Sequence, residues 1–127
     1  MILNNFVAVG VGAALGAWAR WGLGYLLNAV FPTLPLGTLV ANWIGGYLIG
    51  FAIELFATHG EVPPEARLFV ITGFMGALTT FSTFSAEAVT LITRQQYGWV
   101  FVHIASHLTG SIVLTILGIL TAKWLTQ

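Results

Sequence analysis

The sequence predicts an all-α membrane protein with four transmembrane helices, on the basis of three observations. Of its 127 residues, 57% are hydrophobic and 6% are charged, and the mean hydropathy is +0.92. Soluble domains carry about 25% charged residues, so this chain lacks the charged surface that water requires. Its apolar residues fall into four stretches, each as long as the roughly 20 residues that cross a bilayer. The absence of cysteine and of any basic cluster excludes disulfides, thiolate metal sites and nucleic-acid binding.

The four spans are separated by short loops, so we predict one transmembrane domain over residues 1–127. Pro35 and the pair Pro63-Pro64 lie at span edges, where proline can begin a helix without losing an internal hydrogen bond. The predicted spans cover about residues 2–27, 37–57, 66–93 and 99–125.

The third span carries five hydroxyls and two phenyl rings within residues 79–85. A bilayer core tolerates such a run only where it is buried in protein or lines a pore. Gly73 and Gly76 precede the run and lower the helix propensity there. We therefore predict a third helix broken at mid-membrane, whose freed backbone groups belong to the functional site.

The other three spans carry small or polar residues at every fourth position, so each presents a narrow strip unsuited to lipid. The pairs Gly12/Gly16 and Gly46/Gly50 have GxxxG spacing, which is typical of close helix packing. The strips consist of Gly12, Gly16, Arg20 and Gly24 in the first span, Thr38, Asn42, Gly46, Gly50 and Glu54 in the second, and His103, His107, Ser111 and Thr115 in the fourth.

Several of these residues have two possible roles. Asn42 and the polar strip of the fourth span suit either a hydrated path or interhelical hydrogen bonds. His103 and His107 have the i, i+4 spacing of zinc ligands, but no third ligand is apparent, which argues against a zinc site. Phe81 and Phe84 share a helix face; they suit either lipid contact or an anion path, because a phenyl edge is partly positive.

Formal charges inside the spans are few and point to sites rather than to a surface. Arg20, flanked by Trp18 and Trp21, suits either a vestibule that concentrates anions or an interfacial anchor. Glu87 follows the hydroxyl run. No base–nucleophile pair is placed for catalysis, so we predict that the chain is not an enzyme.

The sequence resembles the Fluc (CrcB) family of small bacterial fluoride channels over essentially its whole length. The resemblance is carried by the segments Gly16 to Trp21, Gly37 to Asn42 and Gly73 to Ser85. It implies a passive fluoride-selective channel that exports toxic fluoride across the bacterial inner membrane. It also implies an antiparallel, dual-topology homodimer with two pores and a central structural sodium ion.

The resemblance also implies roles for individual residues. The backbone carbonyls of Gly76 and Thr79 would hold the sodium ion. The fluoride pore would be lined by the rings of Phe81 and Phe84, by Asn42 as a donor, and by Ser82, Thr83, His107, Ser111 and Thr115. Apart from the resemblance, we place Thr38 in the pore and Arg20 and Glu87 at the vestibule.

Physical arguments independently favour a homodimer, because four helices enclose little interior and closed two-fold association is the commonest oligomer. Two other classes stay open. A small dual-topology multidrug exporter would need a carboxylate near the middle of an early span, and the first span holds only Arg20. A subunit that only packs against partners would use the GxxxG faces but would leave the hydroxyl–phenyl run unexplained.

Overall fold

Helices account for nearly the whole chain, and the computed structural model describes all residues from Met1 to Gln127. Three of the four spans are single helices, and the last begins at Tyr97 rather than at the predicted Trp99. These helices are α1 (Ile2–Leu27), α2 (Leu36–Thr58) and α6 (Tyr97–Leu125). Together with the third span, Pro64–Thr93, they are long and apolar enough to cross a membrane. The all-α class and four helices capable of crossing a membrane are therefore confirmed.

The third span is not one regular helix. Its pieces are α3 (Pro64–Arg67), a π-helical segment (Leu68–Met75), α4 (Gly76–Leu78) and α5 (Phe81–Thr93). Thr79 and Thr80 between α4 and α5 have extended backbones, with φ/ψ of −85°/154° and −149°/119°. The predicted break is thus present, three residues after Gly76. The sequence did not predict the π-helical winding, which is rare and is frequently found at functional sites.

The helices pack as two pairs, α2 against α6 and α1 against the third span. Glycines allow both contacts. A Cβ on Gly12 or Gly16 would collide with carbonyl oxygens of Phe69 or Phe74, and one on Gly50 would collide with the carbonyl of Thr115. The GxxxG pairs therefore bring backbones together, as their spacing predicts. These contacts hold the broken segment between α1 and α2, where side chains of both helices reach it.

Candidate functional site

The side-chain amide of Asn42 forms hydrogen bonds with the backbone at the break in the third span. Its Nδ2 donates to the carbonyl of Thr80 at 3.2 Å, and its Oδ1 accepts from the Thr80 amide at 2.8 Å. The second Nδ2 hydrogen faces Nδ1 of His107, 3.0 Å away. One side chain thus replaces the helical partners of an extended residue that would otherwise bury two unpaired backbone groups.

Two carbonyls lose their ordinary donors at the same place. In a continuous helix the Thr80 amide would bond to the carbonyl of Gly76, but here it bonds to Asn42. The Thr83 amide would bond to the carbonyl of Thr79, but it donates to Oγ1 of Thr80 at 3.1 Å, which caps α5. Each of these two amides bonds to a side-chain oxygen in place of its usual carbonyl. The carbonyls of Gly76 and Thr79 are therefore free of their i+4 hydrogen bonds.

Arg20 reaches the same region from α1. Its Nε donates to the carbonyl of Ala77 at 3.0 Å, one residue before the end of α4. A cation near the C-terminal end of a helix stabilises exposed carbonyls. The half-buried guanidinium therefore contacts the broken segment directly, in addition to any part it has in a vestibule.

A groove of about 430 Å³ runs past the break. It brings together predicted residues from the second, third and fourth spans, namely Asn42, Gly76, Thr79, Phe81, Phe84, His107 and Ser111. The predicted residues that do not line it are Thr38, Ser82, Thr83, Thr115, Arg20 and Glu87. Thr115 donates to the carbonyls of Gly46 and Ser111 at 2.9 and 2.8 Å, so its hydroxyl is committed to helix packing.

The two phenyl rings have very different surroundings. Their centroids lie 5.4 Å apart, but Phe84 is 8% exposed whereas Phe81 is 74% exposed. Phe84 stacks on the imidazole of His103, with centroids 4.9 Å apart and planes 14° apart, and lies 4.8 Å from the ring of His107. Phe84 is therefore held rigidly by aromatic neighbours, and Phe81 projects from the chain into the open side of the groove.

Glu87 lies behind Phe84, beside the two histidines. Its Oε2 accepts from the hydroxyl of Thr38 at 2.7 Å, and its Oε1 lies 3.9 Å from Nε2 of His103. That same nitrogen lies 3.0 Å from the carbonyl of Phe84. One ligand-type atom from each of Glu87, His103 and His107 lies within 4.8 Å of the others. The sequence alone did not place Glu87 beside the two histidines, because spacing along one helix does not reveal neighbours on another.

These features define the class of the protein. It is a multi-pass membrane protein whose third helix is interrupted beside a polar and aromatic groove. Residues 7–119 match the family described as CrcB-like protein, Camphor Resistance (CrcB). The chain is 68% identical over 127 residues to a protein of Nitrosospira multiformis, covering 100% of this chain and 99% of the relative.

Two further relatives agree with that match. The chain is 58% identical over 121 residues to a protein of Cupriavidus taiwanensis, covering 95% of this chain and 96% of the relative. It is 58% identical over 123 residues to one of Thiobacillus denitrificans, covering 97% and 99%. All three relatives are named Fluoride-specific ion channel FluC. The chain belongs to this CrcB/FluC family, a family of channels rather than enzymes, so the expected resemblance and the non-enzymatic class are confirmed.

Proposed function

We propose that this protein is a passive, fluoride-selective channel that exports toxic fluoride across the bacterial inner membrane. The observation that carries the proposal is the groove, in which partly positive phenyl edges and polar hydrogens meet without a lysine or arginine among its lining residues. Conduction requires an ion to bind strongly enough to enter and weakly enough to leave. Ring edges and neutral donors meet that requirement better than a full cation would.

Asn42 has a defined part in this proposal. Two of its three hydrogen bonds hold Thr80, so they are unavailable to an ion. The third, from Nδ2 to Nδ1 of His107, joins two neutral groups at the groove wall. This is the bond that a passing anion can replace, because fluoride is a stronger acceptor than an imidazole nitrogen. Asn42 would then donate to the anion while still holding the break.

The remaining polar residues would extend the path on both sides of the rings. Ser111 lies along the groove on α6, one turn after His107, whereas the hydroxyl of Thr115, one turn further on, is held by helix packing. Ser82 and Thr83 lie on the first turn of α5, where the hydroxyl of Thr80 joins them through Ser82 Oγ at 3.2 Å and the Thr83 amide. Thr38 and Glu87 form a hydrogen-bonded pair at one end of the path. Arg20 supplies positive charge beside α4, where it donates to the carbonyl of Ala77.

The working unit in this proposal is an antiparallel homodimer with two pores. Phe81 is 74% exposed, and it shares the open side of the groove with the exposed glycine Gly76. A second copy of the chain would cover these residues and turn each open groove into an enclosed path. Closed two-fold pairing is the commonest way to bury one such face on each partner.

A sodium ion at the dimer centre fits the freed carbonyls. Carbonyl oxygens of Gly76 and Thr79 from two copies would supply a hard monovalent cation with oxygen ligands, as selectivity filters do. When bound, the ion would neutralise the partial negative charge of these carbonyls and so hold the two copies together. The residues present therefore fit the ion, because Asn42 and the Thr80 hydroxyl have taken over the competing amide donors.

Fluoride efflux from liposomes that contain only this purified protein tests the function. A fluoride electrode should record rapid passive release that needs no proton gradient, and chloride should remain trapped under the same conditions. Equal release of both anions would remove fluoride selectivity. Transport of a cationic drug driven by a proton gradient would instead support the exporter class, and no transport at all would support a packing subunit.

A further inference from the structure

We propose that Glu87, His103 and His107 form an inhibitory binding site for Zn²⁺ and similar divalent transition metals. The three residues cluster beside Phe84, and His107 also lines the groove. His103 is fully buried, His107 is 4% exposed and the Glu87 side chain is 14% exposed. It is the one place in the chain where three groups of this kind meet.

Each member of the cluster has a buried polar atom without a hydrogen-bond partner. These atoms are Oε1 of Glu87, Nδ1 of His103 and Nε2 of His107. Buried polar atoms in folded proteins are nearly always paired, so three unpaired atoms in one cluster indicate that something binds there. The atoms are one carboxylate oxygen and two imidazole nitrogens, all of which are metal ligands.

The ligand set selects the class of metal. Three protein ligands of this type, with a fourth position left open, match the ligand count of catalytic zinc sites. Imidazole favours zinc, copper, nickel and cobalt, with affinity generally rising from cobalt to copper. Calcium and magnesium need six or more oxygen ligands, and this cluster offers one carboxylate. The site should therefore distinguish transition metals from the common hard cations.

Hydrogen bonds leave a free ligand atom on His103 and on Glu87. Nε2 of His103 faces the carbonyl of Phe84 at 3.0 Å, so it carries the ring proton and leaves Nδ1 with a free lone pair. The Thr38 hydroxyl holds Oε2 of Glu87 and leaves Oε1 free. Hydrogen bonds of this kind, from the far side of a ligand to a carbonyl or hydroxyl, are the usual outer support of a metal site.

His107 lowers the affinity of the site for metal, and the reason lies in the two hydrogen bonds between Asn42 and Thr80. The Thr80 amide and carbonyl fix which end of the Asn42 side chain is nitrogen, so a hydrogen of Nδ2 must point at Nδ1 of His107. The ring proton of His107 is then on Nε2. Coordination through Nε2 moves that proton to Nδ1, where it opposes the Asn42 hydrogen and breaks the bond between them.

The cost of that broken bond sets the expected affinity. Faulty outer support lowers metal affinity by about 10–100-fold. Structural zinc sites with four ligands bind zinc very tightly. This site has one protein ligand fewer and also bears the cost of the broken bond, so we expect a dissociation constant on the order of micromolar. The metal would thus be a reversible regulator rather than a permanent part of the fold.

Inhibition, unlike binding, rests on the proposed function. A divalent metal with one carboxylate leaves a net positive charge and an open coordination position next to the ring of Phe84. A dehydrated fluoride ion would occupy that position and be held too tightly to move on. Loss of the Asn42–His107 bond would also disturb the residue that holds the break.

Direct metal binding tests the site without any transport measurement. The tag-free protein, purified in detergent as its native oligomer, is dialysed against Zn²⁺, and bound zinc is counted per chain. Cobalt in place of zinc should give the visible absorption bands of tetrahedral coordination. We expect one metal per chain in the wild type and in His59→Gln, which alters the only histidine outside the cluster.

His103→Gln is the matched variant, because its amide can still donate to the carbonyl of Phe84 while being a poor metal ligand. We expect affinity to fall by more than the roughly 10–100-fold that loss of an outer-shell partner causes, since one of three ligands is lost. Glu87→Gln, which keeps an acceptor for Thr38, should show the same loss and guards against misfolding of one variant. Each variant is used only if its size-exclusion profile matches the wild type.

The outcomes are distinct. Zinc bound equally by all four proteins, or by none, would overturn the site, because binding would be adventitious or absent. If the site binds metal, micromolar zinc should stop fluoride efflux from wild-type liposomes, and a chelator should restore it. Efflux that continues with zinc bound would overturn the inhibition alone. Liposomes without any fluoride flux would contradict the proposed function and leave the binding result standing.

Discussion

Asn42 and Thr80 are joined by two hydrogen bonds that run in opposite directions, 3.2 Å and 2.8 Å long, between a side-chain amide and the backbone of a single extended residue. The second span thereby holds open the break in the third. The same amide reaches His107 on α6, so three spans meet through one polar side chain. Any change at Asn42 should therefore affect both stability and transport.

Replacing Asn42 with leucine tests this linkage. Asn42→Leu leaves the half-buried amide and carbonyl of Thr80 without protein partners, at up to about 1–3 kcal/mol for each group. We expect a lower melting temperature and loss of fluoride efflux. Asn5→Leu makes the same chemical change in the first span, away from the groove, and should keep its efflux. Normal efflux in Asn42→Leu would show that the residue serves packing alone.

The phenyl rings give the second prediction. Phe81→Ile and Phe84→Ile keep apolar bulk but remove the partly positive ring edge. A loss of about 1.4 kcal/mol at the barrier slows transport roughly tenfold, and we expect at least that reduction in efflux from either variant. The proposed dimer should still assemble, as measured by size exclusion.

Phe6→Ile is the control for Phe81→Ile. Phe6 is 76% exposed and Phe81 is 74% exposed, so the two substitutions change similarly placed side chains on different spans. Efflux should be unchanged in Phe6→Ile. If both Phe81→Ile and Phe84→Ile also conduct normally, the rings have no part in the mechanism.

The freed carbonyls give the third prediction, which concerns sodium. If the carbonyls of Gly76 and Thr79 bind it, melting temperature should rise with sodium concentration and fall when a large organic cation replaces sodium. A ligand at 100 times its dissociation constant stabilises the folded state by about 2.7 kcal/mol. Thr79→Ser should behave like the wild type, because the proposed ligand is backbone. A melting temperature that is independent of sodium would contradict the site.

Close packing of α1 against the third span gives the fourth prediction. A Cβ on Gly16 would strike the carbonyl of Phe74, whereas one on Gly22 of the same helix meets nothing within 4 Å. Gly16→Ala should lose about 1–3 kcal/mol of stability through overpacking. Gly22→Ala should be neutral or slightly stabilising, by up to about 1 kcal/mol from helix propensity. Equal melting temperatures for the two variants would show that the helices separate easily there.

The sequence could predict the four helices and the presence of a break, because both follow from local properties. Apolar length defines a span, and hydroxyls beside glycines weaken a helix that lipid would otherwise enforce. The exact position of the break could not be predicted, since it depends on Asn42, which lies 38 residues earlier in the chain. The π-helical winding was not predicted either, and the segment that carries it packs closely against the backbone of α1 at Gly12 and Gly16.

The candidate site shows the same division. Spacing within one helix was enough to select Phe81, Phe84 and the polar strip on α6. The groove contains both rings, His107 and Ser111. The contacts between helices could not be read in this way. Glu87 beside His103 and Arg20 on the carbonyl of Ala77 depend on which helices are neighbours and at what height. Sequence spacing indicates which residues share a face of one helix. It does not indicate which residues of two different helices are in contact.

The last prediction is that the chain inserts in both orientations and pairs antiparallel. Lysine and arginine near span ends determine orientation, and this chain has four such residues. Arg67 and Lys123 lie on the same side as the two termini. Arg94 lies on the other side, together with Arg20 if that residue counts toward the loop after the first span. The difference is then one charge or none, too small to impose a single topology.

A single cysteine in this cysteine-free chain can report its side of the membrane. Thr126→Cys lies near the C-terminus, and Gln96→Cys lies in the loop on the opposite side; both residues are exposed. In sealed cells, an impermeant thiol reagent should label about half of each variant, because a chain without a net charge bias has no preferred orientation. Labelling should become complete once the cells are permeabilised. A single topology would instead give nearly full labelling of one variant and almost none of the other, and an antiparallel dimer could not then form.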